Sequence, residues 1–490
     1  MKQLTPKDLS PEQRTAYKDM LAKKTMCISS DCGFGKTISG LTAFAVLKKK
    51  VPESKMLVVC TPQGVKTTWS KEHLKWTHTN KLKVSALLGT PAQRLKKLKE
   101  DVDIYAVTYH TLKWLLDSNK GKNKVKFNFV FADEADCLKG SSSKWRSQLL
   151  KVAPQAKYRI LSSATPKTRE EDDYWGLCKY LDDGESLGAR TVTEFRDIYC
   201  KQIKMGKQII VYKINPHMIP ELEKRIQHLF INYDKSDSAT IPVKTITCTA
   251  KLTEESAKIY KKLQDAQCMG SIVYDNRGVR DSEKSLNSMT LSAKLAQLSN
   301  GFLYLDEDVK ITPEILRETT DVNALINNSV KRKVITLFDD RVNLLKKLIG
   351  KIHKKHGNVP IVIAYNFKQE LVQLEGLLPD GVNDQQPNFE TNWNSGKIKY
   401  LFLQYSRSSK SLNLQHGGNI IIIYSPTFKW VDDYQIVRRL ARQGQKEECV
   451  YVYRLYIKGT IDDVKTKRLN ERFVGHTRFQ NKIIREIKSS

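Results

Sequence analysis

The octapeptide Ser30-Asp31-Cys32-Gly33-Phe34-Gly35-Lys36-Thr37 stands between a β-prone run, Thr25–Ser29, and a helical pattern over Ile38–Lys48. A strand, a glycine-rich turn and a helix in that order make a phosphate cradle. The glycines let the backbone wrap closely, and the helix N-terminus adds partial positive charge. Gly33, Gly35, Lys36 and Thr37 are the candidate nucleotide contacts, with Lys36 on the β- and γ-phosphates and the Thr37 hydroxyl on Mg²⁺. Ser30 occupies the place of the first glycine of the full pattern, so the match is to the shorter Gly-x-Gly-Lys-Thr form.

Such a loop needs a parallel sheet behind it, and the flanking sequence supplies one. The spacing predicts strands over Met56–Cys60, Ile104–Thr108, Phe127–Ala132 and Arg159–Ser162. Helices are predicted over Glu12–Ala22, Val65–Lys75 and Lys144–Leu150. Several strands are apolar on both faces, as a sheet covered on both sides requires. A second block begins near Lys333, with strands Ile361–Tyr365, Tyr400–Gln404, Ile420–Tyr424 and Val450–Leu455 and helices Val334–Ile352 and Val431–Gln443. Between the blocks the pattern reads as a mainly helical insert with a hairpin near Gly206. The expected fold is α/β: two parallel-sheet lobes, 1–185 and 331–490, with the insert at 186–330.

The second chemical site is Asp133-Glu134-Ala135-Asp136, directly after the apolar Phe127–Ala132. Carboxylates at the carboxyl end of such a strand are where Mg²⁺ must be held. Asp133 is the candidate metal ligand and Glu134 the candidate base for an attacking water.

Composition narrows the partner. The 490 residues carry 83 Lys+Arg against 53 Asp+Glu, a formal charge of +30, which favours a polyanion. No run is long and apolar enough to span a membrane, and no secretory leader is evident, so a cytoplasmic protein, or a host-cytoplasmic one if phage-encoded, is expected. The nine cysteines are scattered, without zinc-knuckle spacing, and read as reduced thiols.

With these residues in place, a family resemblance emerges. Thr5–Gln13 resembles the adenine-reading element of helicase superfamily two, with Gln13 its glutamine. Cys60-Thr61-Pro62, followed by Trp69 and Trp76, resembles motif Ia of the Swi/Snf branch, and Asp133–Gly140 its extended Walker B. Leu161-Ser162-Ser163-Ala164-Thr165-Pro166 is similar to motif III, and Ser408–Gln415 to motif V. Gln435-Ile436-Val437-Arg438-Arg439-Leu440-Ala441-Arg442-Gln443-Gly444-Gln445 resembles motif VI. Arg438 stands where glycine is usual, and Ala441 where histidine is frequent.

The resemblance implies two RecA-like lobes and an ATP- and Mg²⁺-dependent DNA translocase or helicase, a compact monomer of the kind bacteria and phages encode for repair, recombination or replication. Its catalytic set is Lys36, Glu134 and two arginine fingers, Arg439 and Arg442; Ser163, Thr165 and Gln435 couple ATP state to DNA grip. Thr61, Lys66 and Asn413 are the implied DNA contacts. The hairpin lysines Lys204 and Lys207 are further candidates for duplex or branched DNA. Two other readings stay open at this level: an RNA helicase of the Asp-Glu-Ala-Asp type, and a non-catalytic DNA-binding scaffold. Trp69 and Trp76 read as core residues before base-stacking ones.

Overall fold

The computed structural model describes residues 3–30, 33–121, 124–139, 143–163, 173–205, 209–233, 241–270, 288–306, 332–408, 412–442, 444–467 and 469–470. These form two compact units, the first reaching Ser238 and the second running from Ala239 to Phe473.

The first unit is built on β1 (Thr25–Ile28), β2 (Met56–Cys60), β3 (Val84–Ala86), β4 (Ile104–Thr108), β5 (Phe129–Ala132) and β6 (Tyr158–Ser162). An antiparallel hairpin, β7 (Cys200–Met205) with β8 (Ile209–Ile214), and the short β9 (Phe230–Ile231) follow. The main sheet is seven-stranded, in the order β3-β4-β2-β5-β6-β1-β9, and every pairing is parallel. Successive side chains of β2 and β5 enter opposite cores: Val58 and Phe131 lie in one cluster, Val59 and Val130 in the other. That is why these strands read as unbroken apolar runs. Helices α1 (Pro11–Lys23) and α2 (Lys36–Lys50) pack together beside β1.

The second unit carries β10 (Val243–Lys251), the antiparallel pair β11 (Phe302–Asp306) and β12 (Arg332–Thr336), then β13 (Ile361–Tyr365), β14 (Val382–Asn383), β15 (Tyr400–Gln404), β16 (Ile420–Ile423) and β17 (Val450–Lys458). Its main sheet is six-stranded and all parallel, β10-β17-β16-β13-β15-β14. Two helices matter below, α3 (Asp340–His356) and α4 (Trp430–Val437). One face of this sheet, through Ile361, Ile363 and Tyr365, packs on Leu345, Leu348, Ile349 and Ile352 of α3. The other, through Val362 and Ala364, packs on Leu412, Leu414, Ile436 and Leu440.

Two parallel-sheet α/β units are thus as expected, and among its described residues the segment 186–330 carries strands of both sheets as well as helices. Its beginning adds β9 to the first sheet, and Val243–Lys251 pairs with β17 over its whole length. Thr245, Thr247 and Thr249 alternate with half-buried Ile246, Cys248 and Ala250, the period-two signature of an edge strand. The helix expected over Val334–Ile352 begins only at Asp340, because Arg332–Thr336 is spent on pairing with β11. The helix expected over Val65–Lys75 is broken into a π-type turn, Gly64–Trp69, and a 3₁₀ turn, Glu72–Lys75. Leu4 bridges to Trp76 there and holds the chain extended. Among the described residues no helix is long and apolar enough to cross a membrane.

Candidate ATPase site and its coupling residues

The phosphate loop follows β1 and opens α2. Gly33 and Gly35 have φ of 100° and 92°, where a side chain is strained. A Cβ on Gly35 would come within 2.4 Å of Gln13 Nε2, so only glycine fits. This cradle, with the N-terminus of a fifteen-residue helix behind it, fits a triphosphate with its Mg²⁺. Lys36 Nζ donates to the Ser30 carbonyl at 2.6 Å, and Thr37 is partly exposed in the first turn. Asp31 and Cys32 lie outside the described residues.

Gln13 is wired into the loop. Its Oε1 accepts from the Ser10 N–H (3.0 Å) in a capping box that starts α1, while Nε2 donates to the Phe34 carbonyl (2.8 Å). The amide expected to read adenine therefore also ties α1 to the cradle. On the other side, the Ser30 hydroxyl accepts from the Tyr233 N–H (2.9 Å), and the Tyr233 ring stacks on Phe34 with centroids 5.7 Å apart. Tyr233 OH donates to Asp19 at 2.7 Å. Burial and this carboxylate push the Tyr233 phenol far up, so it stays a donor.

The acidic pair sits at the carboxyl end of β5, two strands from β1. Asp133 N–H donates to the Val59 carbonyl at 2.8 Å, fixing the residue at the edge of the sheet. Its Oδ2 accepts from the Trp69 indole at 3.0 Å, and its Oδ1 from the Glu134 N–H at 3.1 Å. Glu134 adopts a left-handed backbone, φ 51° and ψ 52°, uncommon for a side chain with a Cβ and typical of strain held at a functional turn. Cys60 and Cys27 lie beneath this surface. Burial pushes the Cys27 thiol up to about 12 against the pull of Lys139, and the Cys60 thiol well above its ordinary value, reinforced by Asp133 and Glu134. Both are inert packing groups.

Asp136, one turn on, joins two motifs. Its Oδ1 accepts from Lys139 Nζ at 2.5 Å and from the Ser163 hydroxyl at 2.9 Å. Ser163 N–H in turn donates to the Ile28 carbonyl at 3.0 Å, at the end of β1. The carboxylate after β5, the serine after β6 and the strand leading into the phosphate loop thus form one connected patch. Thr165 lies outside the described residues.

Trp69 was legible only as core. Its side chain is indeed fully buried and packs on Phe131, centroids 4.8 Å apart, but its indole N–H also orients the Asp133 carboxylate. A tryptophan followed by a buried strand and an acidic pair carries no linear signal for this. Trp69→Phe keeps the packing and removes the donor, and is expected to raise the Mg²⁺ concentration needed for half-maximal ATP turnover several-fold, with little loss at saturating Mg²⁺. A magnesium titration of phosphate release checks this; an unchanged midpoint would make the indole a packing group only.

Of the expected DNA contacts in the first unit, Lys66 is exposed, whereas the Thr61 hydroxyl accepts from the Gly64 N–H at 3.1 Å and starts the π-type turn. The β7–β8 hairpin forms with Lys204 opposite Ile210 in the ladder. Lys207 and the side chain of Lys204 fall outside the described residues.

In the second unit, motif VI is strapped to motif V. Arg439 is 3% exposed and donates through NH1 to the Leu412 carbonyl at 3.2 Å; the partly exposed Arg442 donates to the same carbonyl at 3.0 Å and also to Asn413 Oδ1. Leu414 N–H donates back to the Arg439 carbonyl at 3.2 Å. Gln435 is fully buried at the end of α4, and Asn413 is exposed, its N–H held by Glu390 at 2.9 Å. Sequence reading presented both arginines alike. The structure separates them: Arg439 is an internal strap, and Arg442 is the one reaching the surface.

The SNF2-related domain family matches residues 8–302, more than half of the chain. The chain belongs to the SNF2-related domain family. A protein designated p41 of Acyrthosiphon pisum secondary endosymbiont phage 1 is 26% identical over 487 residues, covering 96% of this chain and 97% of that protein. The DNA repair and recombination protein RAD54 of Saccharomyces cerevisiae is 24% identical and covers 89% of this chain. The ATP-dependent helicase fft1 of Schizosaccharomyces pombe is 22% identical and covers 90% of it. This SNF2-related chain spans about half the length of these two, 51% and 49%. Among solved structures, the Sulfolobus solfataricus SWI2/SNF2 ATPase core in complex with dsDNA aligns at 20% identity and TM-score 0.42, over 93% of this chain and 89% of that one.

Proposed function

We propose that this SNF2-related chain is an ATP-dependent DNA translocase that remodels or unwinds branched DNA in repair, recombination or replication. The observation that carries the reading is the connected patch at the carboxyl ends of β1, β5 and β6, where the phosphate loop, Asp133-Glu134 and the Asp136–Ser163 hydrogen bond meet.

The chain is an ATPase. Bound Mg-ATP supplies the transferable phosphoryl group and the cation that neutralises it. Gly33, Gly35 and Lys36 would hold the phosphates, Thr37 and Asp133 would hold Mg²⁺, and Gln13 would read the base. Glu134 takes the proton of the attacking water. Arg442 supplies planar, permanent positive charge against the phosphoryl group, and Arg439 keeps motif VI in register with motif V. Ser163 ties the acidic turn to β6, so a shift in the carboxylates is felt along the strand that precedes motif III. Lys66, Asn413 and the β7–β8 hairpin grip DNA, and the protein acts as a monomer. A net charge of +30 supports grip on the phosphate backbone.

The deciding measurement is ATP turnover with duplex DNA, forked DNA and duplex RNA side by side, with strand separation and branch migration followed on the same substrates. Stimulation by DNA well above RNA, with forks and junctions processed, is expected. Stimulation by RNA alone would overturn the reading, and DNA-stimulated turnover with no preference for branched substrates would remove the branched-DNA part of it.

A further inference from the structure

Helix α3 is unusually cationic on the side it turns away from the core. Lys346, Lys347, Lys351, Lys354 and Lys355 are all exposed, and Asp340 at the first position is the helix's only acid. That carboxylate is already taken by Thr253 N–H (3.0 Å) and Ser256 Oγ (2.6 Å). Among the described residues none of the five lysines makes an ion pair. Lys347, Lys351, Lys354 and Lys355 fall at i, i+4, i+7 and i+8, on one stripe. The stripe continues onto the neighbouring strand ends. Lys355 Nζ lies 5.9 Å from the Tyr451 ring, and exposed Lys399 lies 5.3 Å from the Tyr400 ring.

Beside the stripe on the same exposed face, between Lys346 and Lys354, sits Gly350, with no atom within 4 Å of where a Cβ would be. Packing does not ask for glycine there, and its φ is not left-handed. Glycine weakens a helix interior, and so do like charges four residues apart. Two local costs at one place, neither repaid by the fold, mark a surface shaped for something outside it. A lysine stripe with a bare backbone along its edge suits a rigid sugar–phosphate chain, which can approach closely at Gly350 while the ammonium groups reach its phosphates. The apolar side of α3 is used up in the core, through Leu345, Leu348, Ile349 and Ile352, so nothing remains to enter a lipid surface.

This stripe is not part of the grip around motifs V and VI. Leu412, Leu414 and Leu440 pack on the face of the sheet lined by Val362 and Ala364, whereas α3 packs on the face lined by Ile361 and Ile363. We infer that the second unit carries a separate DNA-backbone site on the α3 face of its sheet, formed by Lys347, Lys351, Lys354 and Lys355 with Gly350 beside them, which holds a second duplex segment. This inference rests on the reading of the chain as a DNA translocase.

Two variants of the full chain test it. Replacing the four lysines together by alanine, and separately making Gly350→Gln, leave the core and every ATPase motif untouched. Duplex affinity is measured against salt, DNA stoichiometry by titration, and ATP turnover with and without DNA. The quadruple variant should lose up to about 3.6 from the salt slope of the logarithm of affinity, at roughly 0.9 per phosphate contact. Its stoichiometry should fall from two duplex segments per chain to one, with DNA-free turnover unchanged. Gly350→Gln should raise the melting temperature yet weaken DNA binding at least several-fold, a pairing that no purely structural role for the position produces. If the native protein is stimulated by DNA while both variants keep its salt slope and stoichiometry, the second site is overturned and the translocase reading stands. If DNA neither binds nor stimulates the native protein, both fall.

Discussion

Glu134→Gln is expected to stop ATP turnover, by a factor on the order of 10²–10⁴ for loss of the base, while nucleotide binding persists. The substitution is nearly isosteric, and the strand end is fixed by backbone and Asp133 contacts that it does not touch: Asp133 N–H to Val59 O at 2.8 Å and the Trp69 indole to Oδ2 at 3.0 Å. The left-handed backbone at 134 is equally open to both residues. Only the capacity to take a proton is lost. Lys36→Ala should stop turnover as well, but through binding, because it removes the cation that closes the cradle; affinity for a fluorescent ATP analogue then falls together with the rate. Phosphate release at saturating DNA and Mg²⁺, beside analogue binding, separates the two behaviours. Appreciable turnover in either variant would refute the site.

The second large effect is at Arg442. Arg442→Ala should cut turnover on the order of 10³-fold, the range for loss of an arginine finger, with nucleotide affinity little changed. Because the guanidinium also braces the Leu412 carbonyl at 3.0 Å, the control is Arg442→Lys, which keeps charge but not the fork. A finger gives a large rate defect in both variants, whereas a brace gives a thermal-stability defect that lysine partly rescues. Arg439→Ala, in contrast, should act mainly on stability. Its side chain is buried against motif V, so truncation removes one of the two charged donors to the Leu412 carbonyl, at a cost of about 1.5–3 kcal/mol for a hydrogen bond from a charged group. The measurement is the melting temperature of each variant beside its single-turnover rate. Normal hydrolysis by Arg442→Ala would rule out the finger.

What could be read from sequence follows from how each element announces itself. Met56–Cys60, Ile104–Thr108, Ile361–Tyr365 and Tyr400–Gln404 are continuous apolar runs, buried on both faces, and were found to the residue. The cradle and the acidic pair were legible because their chemistry constrains neighbouring residues. Val243–Lys251 was lost because an edge strand shows only alternation, and its partner Val450–Lys458 lies far along the chain. Val84–Ala86, Phe230–Ile231 and Val382–Asn383 are too short to carry a period. At the site, the candidates Gln13, Lys36, Asp133, Glu134 and Ser163 lie in the first unit, in the hydrogen bonds described above. The roles of Trp69, Asp19 and Tyr233 depend on contacts 64, 214 and 203 positions distant in sequence, which no linear pattern encodes. Arg439 and Arg442, alike on paper, differ in burial and in the hydrogen bond from Arg442 to Asn413.

The register of β10 against β17 has a consequence for how the chain leaves the ribosome. The first sheet is complete once β9 has been made, near residue 231, so that unit can close during synthesis. The second cannot, because β17 lies inside it, between β10 and β16. About 200 residues separate the paired strands, so at ~5–20 residues per second β10 waits on the order of 10–40 s for its partner. Throughout that interval Val243–Lys251 is a nine-residue β-prone segment with both edges open, carrying Lys244 and Lys251 near its ends as its only charges. Nascent chains stalled before Val450 are therefore the species most exposed to aggregation, and the last strand made is the one that removes the hazard.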